Sequence, residues 1–166
     1  MASEQHNRLC AVGMRWLKKS GFPVVTTELT CFGSRERPDV MAFRSNCSAV
    51  IEVKVSKADF RADSKKPERL SGGLGVYRLY LCPDGLILPE DLPAKWGLLY
   101  ANQKGTVTPI VLPSGNHWPP LDMHPNLAAL SPEWVAFQHS PDFQAERQAL
   151  FSIARRLAAP TQKASQ

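Results

Sequence analysis

Apolar residues near the start of the chain recur at the three- and four-residue spacing of a helix. Leu9, Val12, Trp16 and Leu17 follow this pattern, which predicts a helix over residues 4–19. Two lysines at its end and a glycine just beyond are typical of a helix C-terminus, where positive charge offsets the dipole. We therefore expect an amphipathic helix at the start of the chain.

Three stretches rich in β-branched and apolar residues follow this helix and predict strands, at residues 23–30, 40–44 and 49–55. Ser56 with Asp59 resembles a capping box, with aspartate in place of the usual glutamate or glutamine. It predicts a second helix that runs at least to Lys65. A fourth strand is expected over residues 76–82. The order helix, three strands, helix, strand indicates an α/β unit in which an antiparallel meander is followed by a crossover.

The second half of the chain is rich in proline, with ten of the 14 prolines between Pro83 and Pro141. Proline interrupts helices, so we expect loops there, with strands at 96–100 and 107–112 and an irregular surface loop over 114–126. A closing helix is predicted over residues 140–158. Its apolar residues are expected on one side: Phe143, Leu150, Ile153 and Leu157.

Composition limits the class of protein. A chain of 166 residues with 43% hydrophobic and 21% charged residues is typical of one globular domain. We expect that domain over residues 1–158, with a core at about 4–82, a loop-rich C-terminal extension over 83–158 and a polar tail at 159–166. No apolar run is long enough to span a membrane, which favours a cytoplasmic protein without a membrane partner. The net charge of +5 permits a polyanionic partner.

Acidic residues are expected to meet at one end of the predicted sheet. If Ser45 and Asn46 form a two-residue loop, Asp39 lies opposite Glu52, and opposed residues have Cβ atoms about 5 Å apart. Lys54 is two residues beyond Glu52 and projects from the same face. Two such carboxylates repel unless a cation lies between them, which suggests a divalent metal. A turn at residues 33–34 places Glu28 opposite Asp39 as well.

Pro38-Asp39 followed by Glu52-Val53-Lys54 matches the motif of the PD-(D/E)xK, or restriction-endonuclease-like, nucleases. The predicted element order is similar to the αβββαβ core of that superfamily, a mixed sheet flanked by helices. The runs from Arg37 to Val40, from Ile51 to Ser56 and from Ala58 to Pro67 more closely resemble the MmcB-like DNA repair proteins, a branch of the superfamily. The resemblance covers residues 28–82.

The resemblance implies metal-dependent hydrolysis of DNA phosphodiester bonds, in repair, recombination or phage and host genome processing. Asp39, Glu52 and the backbone carbonyl of Val53 would hold Mg²⁺ or Mn²⁺, ions that prefer oxygen ligands. Lys54 would orient or deprotonate the attacking water or stabilise charge on the phosphate. Glu28 would complete the catalytic set, and it is preferred to Glu4 of the first helix, the other candidate acid.

Basic residues mark the second predicted helix as a surface for DNA. Lys57, Arg61 and Lys65 are spaced at i, i+4 and i+8, and Lys66 is adjacent. Such a stripe suits a phosphate backbone. The alternative is a solvated helix face paired with neighbouring acids. Whether the DNA is single-stranded, duplex or branched is left open, as is a homodimer.

A second class of function is a nuclease-like module that binds DNA or a protein without cleaving. The intact Asp39, Glu52 and Lys54 favour the enzyme, because a degenerate module has no chemical need for all three. A small-molecule enzyme is disfavoured, since residues 72–75 lack the order of a phosphate-binding glycine loop. The remaining unusual side chains are expected to be structural: Trp96, Trp118 and Trp134 as core or loop anchors, His117 and His124 as surface residues, and Cys82 as a buried thiol.

Overall fold

The computed structural model describes residues 3–27, 37–63, 65–66 and 73–158, and these form an α/β structure with six strands and flanking helices. The elements in chain order are α1 (Glu4–Lys19), β1 (Val24–Thr27), β2 (Val40–Phe43), β3 (Ser48–Val53), α2 (Lys57–Asp63), β4 (Tyr77–Pro83), β5 (Trp96–Ala101), β6 (Val107–Val111), α3 (Pro125–Ala128), α4 (Pro132–Ala136) and α5 (Phe143–Ala158). The predicted order of one helix, three strands, a helix and a strand is therefore confirmed.

The six strands form one mixed sheet in the order in which they occur along the chain. β1, β2 and β3 pair antiparallel, β3, β4 and β5 run parallel, and β6 returns antiparallel to β5. The parallel pairs require crossovers, which α2 and a 3-10 turn at Pro89–Asp91 supply. Thus β5 and β6, from the predicted extension, continue the sheet that the core begins.

Helix α1 covers one face of the sheet. Its buried residues include Leu9, Val12 and Leu17, which pack with Ile51 and Val53 of β3 in the largest apolar cluster. On the opposite face, α2 packs beside β4, where the rings of Phe60 and Tyr80 meet edge to face at 5.1 Å. Because successive residues of a strand alternate between faces, β3 directs Ile51 and Val53 to α1 and Glu52 to α2.

Helix α5 packs on the face opposite α1, and of the four apolar residues predicted on one side, Ile153 packs against that core. Its buried residues are Ala145, Glu146 and Ala149, while Phe143 and Leu157 are exposed. The buried carboxylate of Glu146 accepts hydrogen bonds from the Ser48 hydroxyl and the Gly75 N–H, at 2.6 and 2.9 Å. Burial raises the pKa of Glu146. Small residues, one buried polar group and Ile153 thus hold this helix, while the other three predicted apolar residues are exposed.

Two short helices, α3 and α4, begin at and beyond the end of the predicted irregular loop, where α3 overlaps its last two residues, and both begin with proline. Proline suits the first turn because its missing N–H would have no partner there. No helix within the described residues is long and apolar enough to cross a membrane.

The pH dependence of stability should include a contribution from His139. Burial, together with the positive charge of Arg78, lowers the pKa of His139 to about 4, from 6.5. Between these pKa values the unfolded chain binds a proton that the folded protein does not. The contribution of His139 to stability is therefore complete above pH 6.5 and is lost as the pH falls toward 4. We expect a loss on the order of 1–2 kcal/mol, after discounting for the partial exposure of the ring.

Urea unfolding of wild type and His139→Gln between pH 7 and 4.5 measures this effect. Glutamine does not titrate, and its amide can still donate to the Lys95 carbonyl that faces Nε2 of His139 at 3.0 Å. The variant should lose less stability than wild type over this range. Parallel losses in the two proteins would show that His139 does not carry the dependence.

Candidate metal and nucleic-acid site

Asp39 precedes β2 at one end of the sheet, beside the end of β3. The ladder ends with Val40 opposite Ile51, which is the register that the prediction required, and Asp39 and Glu52 are the next residues beyond that pair. The loop that fixes this register is also as predicted, because the Arg44 N–H donates to the Cys47 carbonyl at 2.9 Å across two intervening residues. A short loop of fixed length leaves the strands no other register.

The Asp39 carboxylate is held between β3 and α1. Its Oδ2 accepts a hydrogen bond from the Val53 N–H at 2.8 Å, and its Oδ1 lies 3.2 Å from Nε2 of His6. The side chains of His6 and Asp39 are 19% and 22% exposed, so solvent reaches both. Val53 contacts Asp39 through its N–H. The group of Val53 that was predicted to bind a metal is a different one, its backbone carbonyl.

Glu52 and Lys54 form a buried ion pair on the opposite face. Lys54 Nζ lies 3.6 Å from Glu52 Oε2 and 3.3 Å from Asp63 Oδ1 of α2. Both side chains of the Glu52–Lys54 pair are about 5% exposed or less. The predicted placement of Glu52 and Lys54 on one face is confirmed, and the ammonium lies between two carboxylates.

Asp63 connects α2 to the sheet. Its Oδ2 accepts a hydrogen bond from the Tyr80 hydroxyl at 2.9 Å, and Oδ1 lies 2.9 Å from Lys66 Nζ in addition to Lys54. Buried carboxylates need such partners, because an unpaired charge in the interior is very unfavourable. Asp63 was not predicted as a site residue, although it lies three residues after the buried Phe60 and therefore shares its helix face.

The predicted site residues therefore fall into two groups. Within the described residues the Asp39 carboxylate contacts His6 and Val53, on the side of α1, and it does not touch Glu52 or Lys54. Glu52 and Lys54 face α2. The two carboxylates come from adjacent strands at one end of the sheet, so their oxygen donors suit Mg²⁺ or Mn²⁺ in type and strand position.

His6 and Cys10 are site residues that the sequence did not single out. His6 Nδ1 lies 3.6 Å from Cys10 Sγ, and one donor atom from each of His6, Cys10 and Asp39 lies within 4.8 Å of the others. A signal was present in the sequence, because residues at i and i+4 share one face of a helix. What the sequence could not supply was the approach of Asp39 from β2.

The basic stripe is shorter than predicted. Helix α2 ends at Asp63, so Lys57 and Arg61 lie on it and Lys65 lies beyond its end. The prediction of a helix to Lys65 was wrong for a physical reason, since the sequence places Pro67 after Lys66 and the residue before a proline disfavours helical geometry. Lys66 is engaged by the buried Asp63. Lys57, Arg61, Lys65 and Lys66 are all solvent-exposed.

Glu28 lies outside the described residues, as does the turn at 33–34 that was predicted to align it. The described pairing of Thr27 with Val40 follows the register that the prediction required. Glu4, the other acid considered, lies in the exposed first turn of α1.

The other predictions of structural roles are largely confirmed. Trp96, Trp118 and Trp134 are buried, and the latter two pack with Tyr77. His117 and His124 are exposed, and His124 caps α3 by accepting from the Asn126 N–H. Cys82 is fully buried, and burial raises the pKa of its thiol to about 11. Burial keeps the three tryptophans from stacking on bases and the Cys82 thiol from acting as a nucleophile.

Comparison with known proteins shows the fold of the chain but assigns it no activity. No protein-family model matches it, and no curated protein matches it. A solved protein of unknown function from Silicibacter pomeroyi is similar, with a TM-score of 0.61 and 24% sequence identity. The similarity covers 96% of this chain and 92% of that one, so the fold extends over nearly the whole of both.

Proposed function

We propose that this protein is a metal-dependent nuclease with a restriction-endonuclease-like core, which hydrolyses phosphodiester bonds in DNA. The observation that carries the proposal is the strand register that ends with Val40 opposite Ile51, because Asp39 and Glu52 are the next residues beyond that pair and Lys54 is two residues further along the chain. The motif alone would be weak, because an acid followed by Glu-x-Lys is common. Its position at adjacent strand ends, beside a helix with exposed basic residues, supports a phosphodiesterase.

Each residue has a distinct role in this proposal. Asp39 and Glu52 supply carboxylate oxygens to Mg²⁺ or Mn²⁺, together with the Val53 carbonyl. When bound, the ion lowers the pKa of its water and stabilises the leaving oxygen. Lys54, held by Glu52 and Asp63, orients the attacking water or offsets negative charge on the phosphate. Glu28 is the proposed further acid.

Helix α2 supplies the proposed contacts to DNA. The exposed Lys57 and Arg61 lie on the helix that follows β3, and Lys65 and Lys66 follow its end. Because α2 packs beside Glu52 and Lys54, phosphates bound along these residues would lie near the proposed site. Contacts to phosphate position a protein on DNA without reading its sequence.

Replacing Lys57, Arg61 and Lys65 together with glutamine should weaken DNA binding and reduce its salt dependence. For every phosphate contact that the substitutions remove, the slope of log affinity against log salt becomes shallower by about 0.9 on duplex DNA, or about 0.7 on single strands. The three residues are exposed, so the fold should be retained. Fluorescence anisotropy in EDTA across a salt series measures the slope without cleavage.

A triple glutamine variant of Lys104, Arg155 and Arg156 provides the matched control, because it removes the same charge from exposed positions elsewhere. It should leave the slope close to that of wild type. Equal slopes for wild type and the α2 variant would show that the basic residues of α2 are solvent-exposed side chains that do not contact DNA.

A nuclease-like module that binds DNA or protein without cleavage is the second candidate, and one observation favours it. The Lys54 ammonium is 5% exposed and engaged by two carboxylates, while Asp39 is engaged by His6 and Val53. A lysine held by two carboxylates in the interior, as Lys54 is, can have a purely structural role. Catalysis would require Asp39 and Glu52 to turn toward a shared ion.

A cleavage assay separates the two candidates and also defines the substrate. Purified protein is incubated with labelled single-stranded, duplex and branched DNA in Mn²⁺ or in EDTA. The nuclease proposal expects products in Mn²⁺ and none in EDTA. Binding to any of these DNAs with no product in Mn²⁺ or Mg²⁺ would favour the module.

A further inference from the structure

We infer that His6, Cys10 and Asp39 form a binding site for a transition-metal ion such as Zn²⁺, a ligand set that shares Asp39 with the proposed nuclease pair and does not include Glu52. Nothing in the motif of the proposed nuclease calls for an imidazole or a thiolate. The inference goes beyond the proposed function and does not depend on DNA cleavage.

The three side chains converge from two elements. His6 and Cys10 lie one turn apart on the same face of α1, and Asp39 reaches them from the start of β2. Their donor atoms lie within 4.8 Å of one another. Ligands of a tetrahedral zinc ion are about 3.5 Å apart, given bonds of about 2.0–2.3 Å. His6 faces Cys10 through Nδ1 at 3.6 Å and Asp39 through Nε2 at 3.2 Å, so its imidazole must turn to present one nitrogen to an ion that Cys10 and Asp39 also hold.

The chemistry of the donors selects the class of metal. A thiolate and an imidazole are ligands for Zn²⁺ and related transition ions, whereas Mg²⁺ prefers oxygen alone. Three protein ligands with a fourth position open to solvent is the usual composition of an open zinc site. On binding, the Cys10 thiol gives up its proton to the buffer, since the thiolate is the ligand.

The surroundings of the cluster also suit an ion. Cys10 is buried at 7% exposure, while His6 and Asp39 are only half-buried, so the cluster is enclosed on one side and open on the other. The Val53 N–H holds Asp39 Oδ2 and leaves Oδ1 directed at His6. Such a second hydrogen bond fixes the orientation of a ligating carboxylate.

Titration of the full chain with Co²⁺ tests the inference without any nuclease assay. Co²⁺ substitutes for Zn²⁺, and a thiolate ligand gives a sulfur-to-cobalt charge-transfer absorption. Wild type should bind one equivalent with this absorption, and Zn²⁺ should displace it. Cys10→Ser should lose the charge-transfer absorption, and His6→Ala should weaken binding by at least about tenfold. His6 is half-buried in the first turns of α1, so this second variant should fold even if Cys10→Ser does not.

Two matched controls complete the experiment. Cys47→Ser changes another buried thiol, whose hydrogen bond to the Trp118 carbonyl a serine can replace, and it should bind as wild type does. Glu52→Gln should also bind Co²⁺ normally, because Glu52 is not in this ligand set. An absent charge-transfer absorption in wild type, or unchanged binding in His6→Ala, would overturn the inference. Loss of binding in Glu52→Gln would assign the ion to the proposed nuclease pair instead.

Discussion

Asp39→Asn should lower the rate of metal-dependent DNA cleavage by about 10³-fold or more while the protein stays folded. A carboxylate ligand supplies several kcal/mol of stabilisation through the ion it holds, and a neutral amide does not replace that charge. Asparagine can still accept the hydrogen bond from the Val53 N–H, so the end of β3 keeps its partner. Cleavage under single-turnover conditions measures the rate, and circular dichroism verifies the fold.

Asp59→Asn is the matched control for this prediction. Asp59 is exposed in the first turn of α2 and undergoes the same chemical change away from the proposed ligands. It should cleave at the rate of wild type. A rate for Asp39→Asn equal to that of Asp59→Asn would show that Asp39 does not hold the catalytic ion.

The second large effect is expected on stability. Lys54→Met should lower the free energy of unfolding by about 3–5 kcal/mol, because it leaves the buried carboxylates of Glu52 and Asp63 without their shared ammonium. Methionine fills much of the volume of the lysine stem, so the loss reports charge more than packing. Urea denaturation at neutral pH measures the change.

Two further variants show whether the loss comes from unpaired charge. Lys57→Met alters an exposed lysine and should change stability by less than about 0.5 kcal/mol. Lys54→Met combined with Glu52→Gln removes one of the two carboxylates that lose the Lys54 ammonium and should regain part of the loss. A stability for Lys54→Met within about 0.5 kcal/mol of wild type would mean that the ion pairs with Glu52 and Asp63 contribute little.

The sequence predicted the register at the site because local rules determine it. A two-residue loop between two short strands determines which residues are opposed. The alternation of side chains along each strand then determines the face on which each side chain lies. Val40 and Ile51 pair as these rules require, and Glu52 and Lys54 share a face. The bounds of α1 were predicted equally well, since its apolar spacing and its flanking residues agree.

Contacts between elements distant in the sequence could not be predicted in the same way. His6 meets Asp39 only because α1 crosses the end of β2, and no local pattern indicates that crossing. The charge of Asp63 favours an exposed position, yet the side chain turns toward Lys54 and Tyr80. In each case a polar partner from another element determines where the side chain lies.

The packed face of α5 illustrates a different limit. The prediction placed four large apolar residues on one side of the helix, but small residues allow a closer approach of the helix to the sheet. Ala145 and Ala149 are the buried apolar residues, with Ile153 packed beside them. A single buried acid, Glu146, then bonds to Ser48 and Gly75. The hydrophobicity of the residues alone therefore does not identify the packed face of α5, because small side chains and the hydrogen bonds of Glu146 determine it.

Single-turnover cleavage by wild type and Asp39→Asn, purified in parallel and assayed in Mn²⁺ and in EDTA, tests the proposed activity most directly. Parallel purification distinguishes the protein's own activity from a contaminating nuclease, which would be equal in both preparations. The proposal predicts cleavage by wild type in Mn²⁺, none in EDTA, and a rate about 10³-fold lower for the variant. Equal rates for the two proteins, or no cleavage of any DNA by wild type, would contradict it.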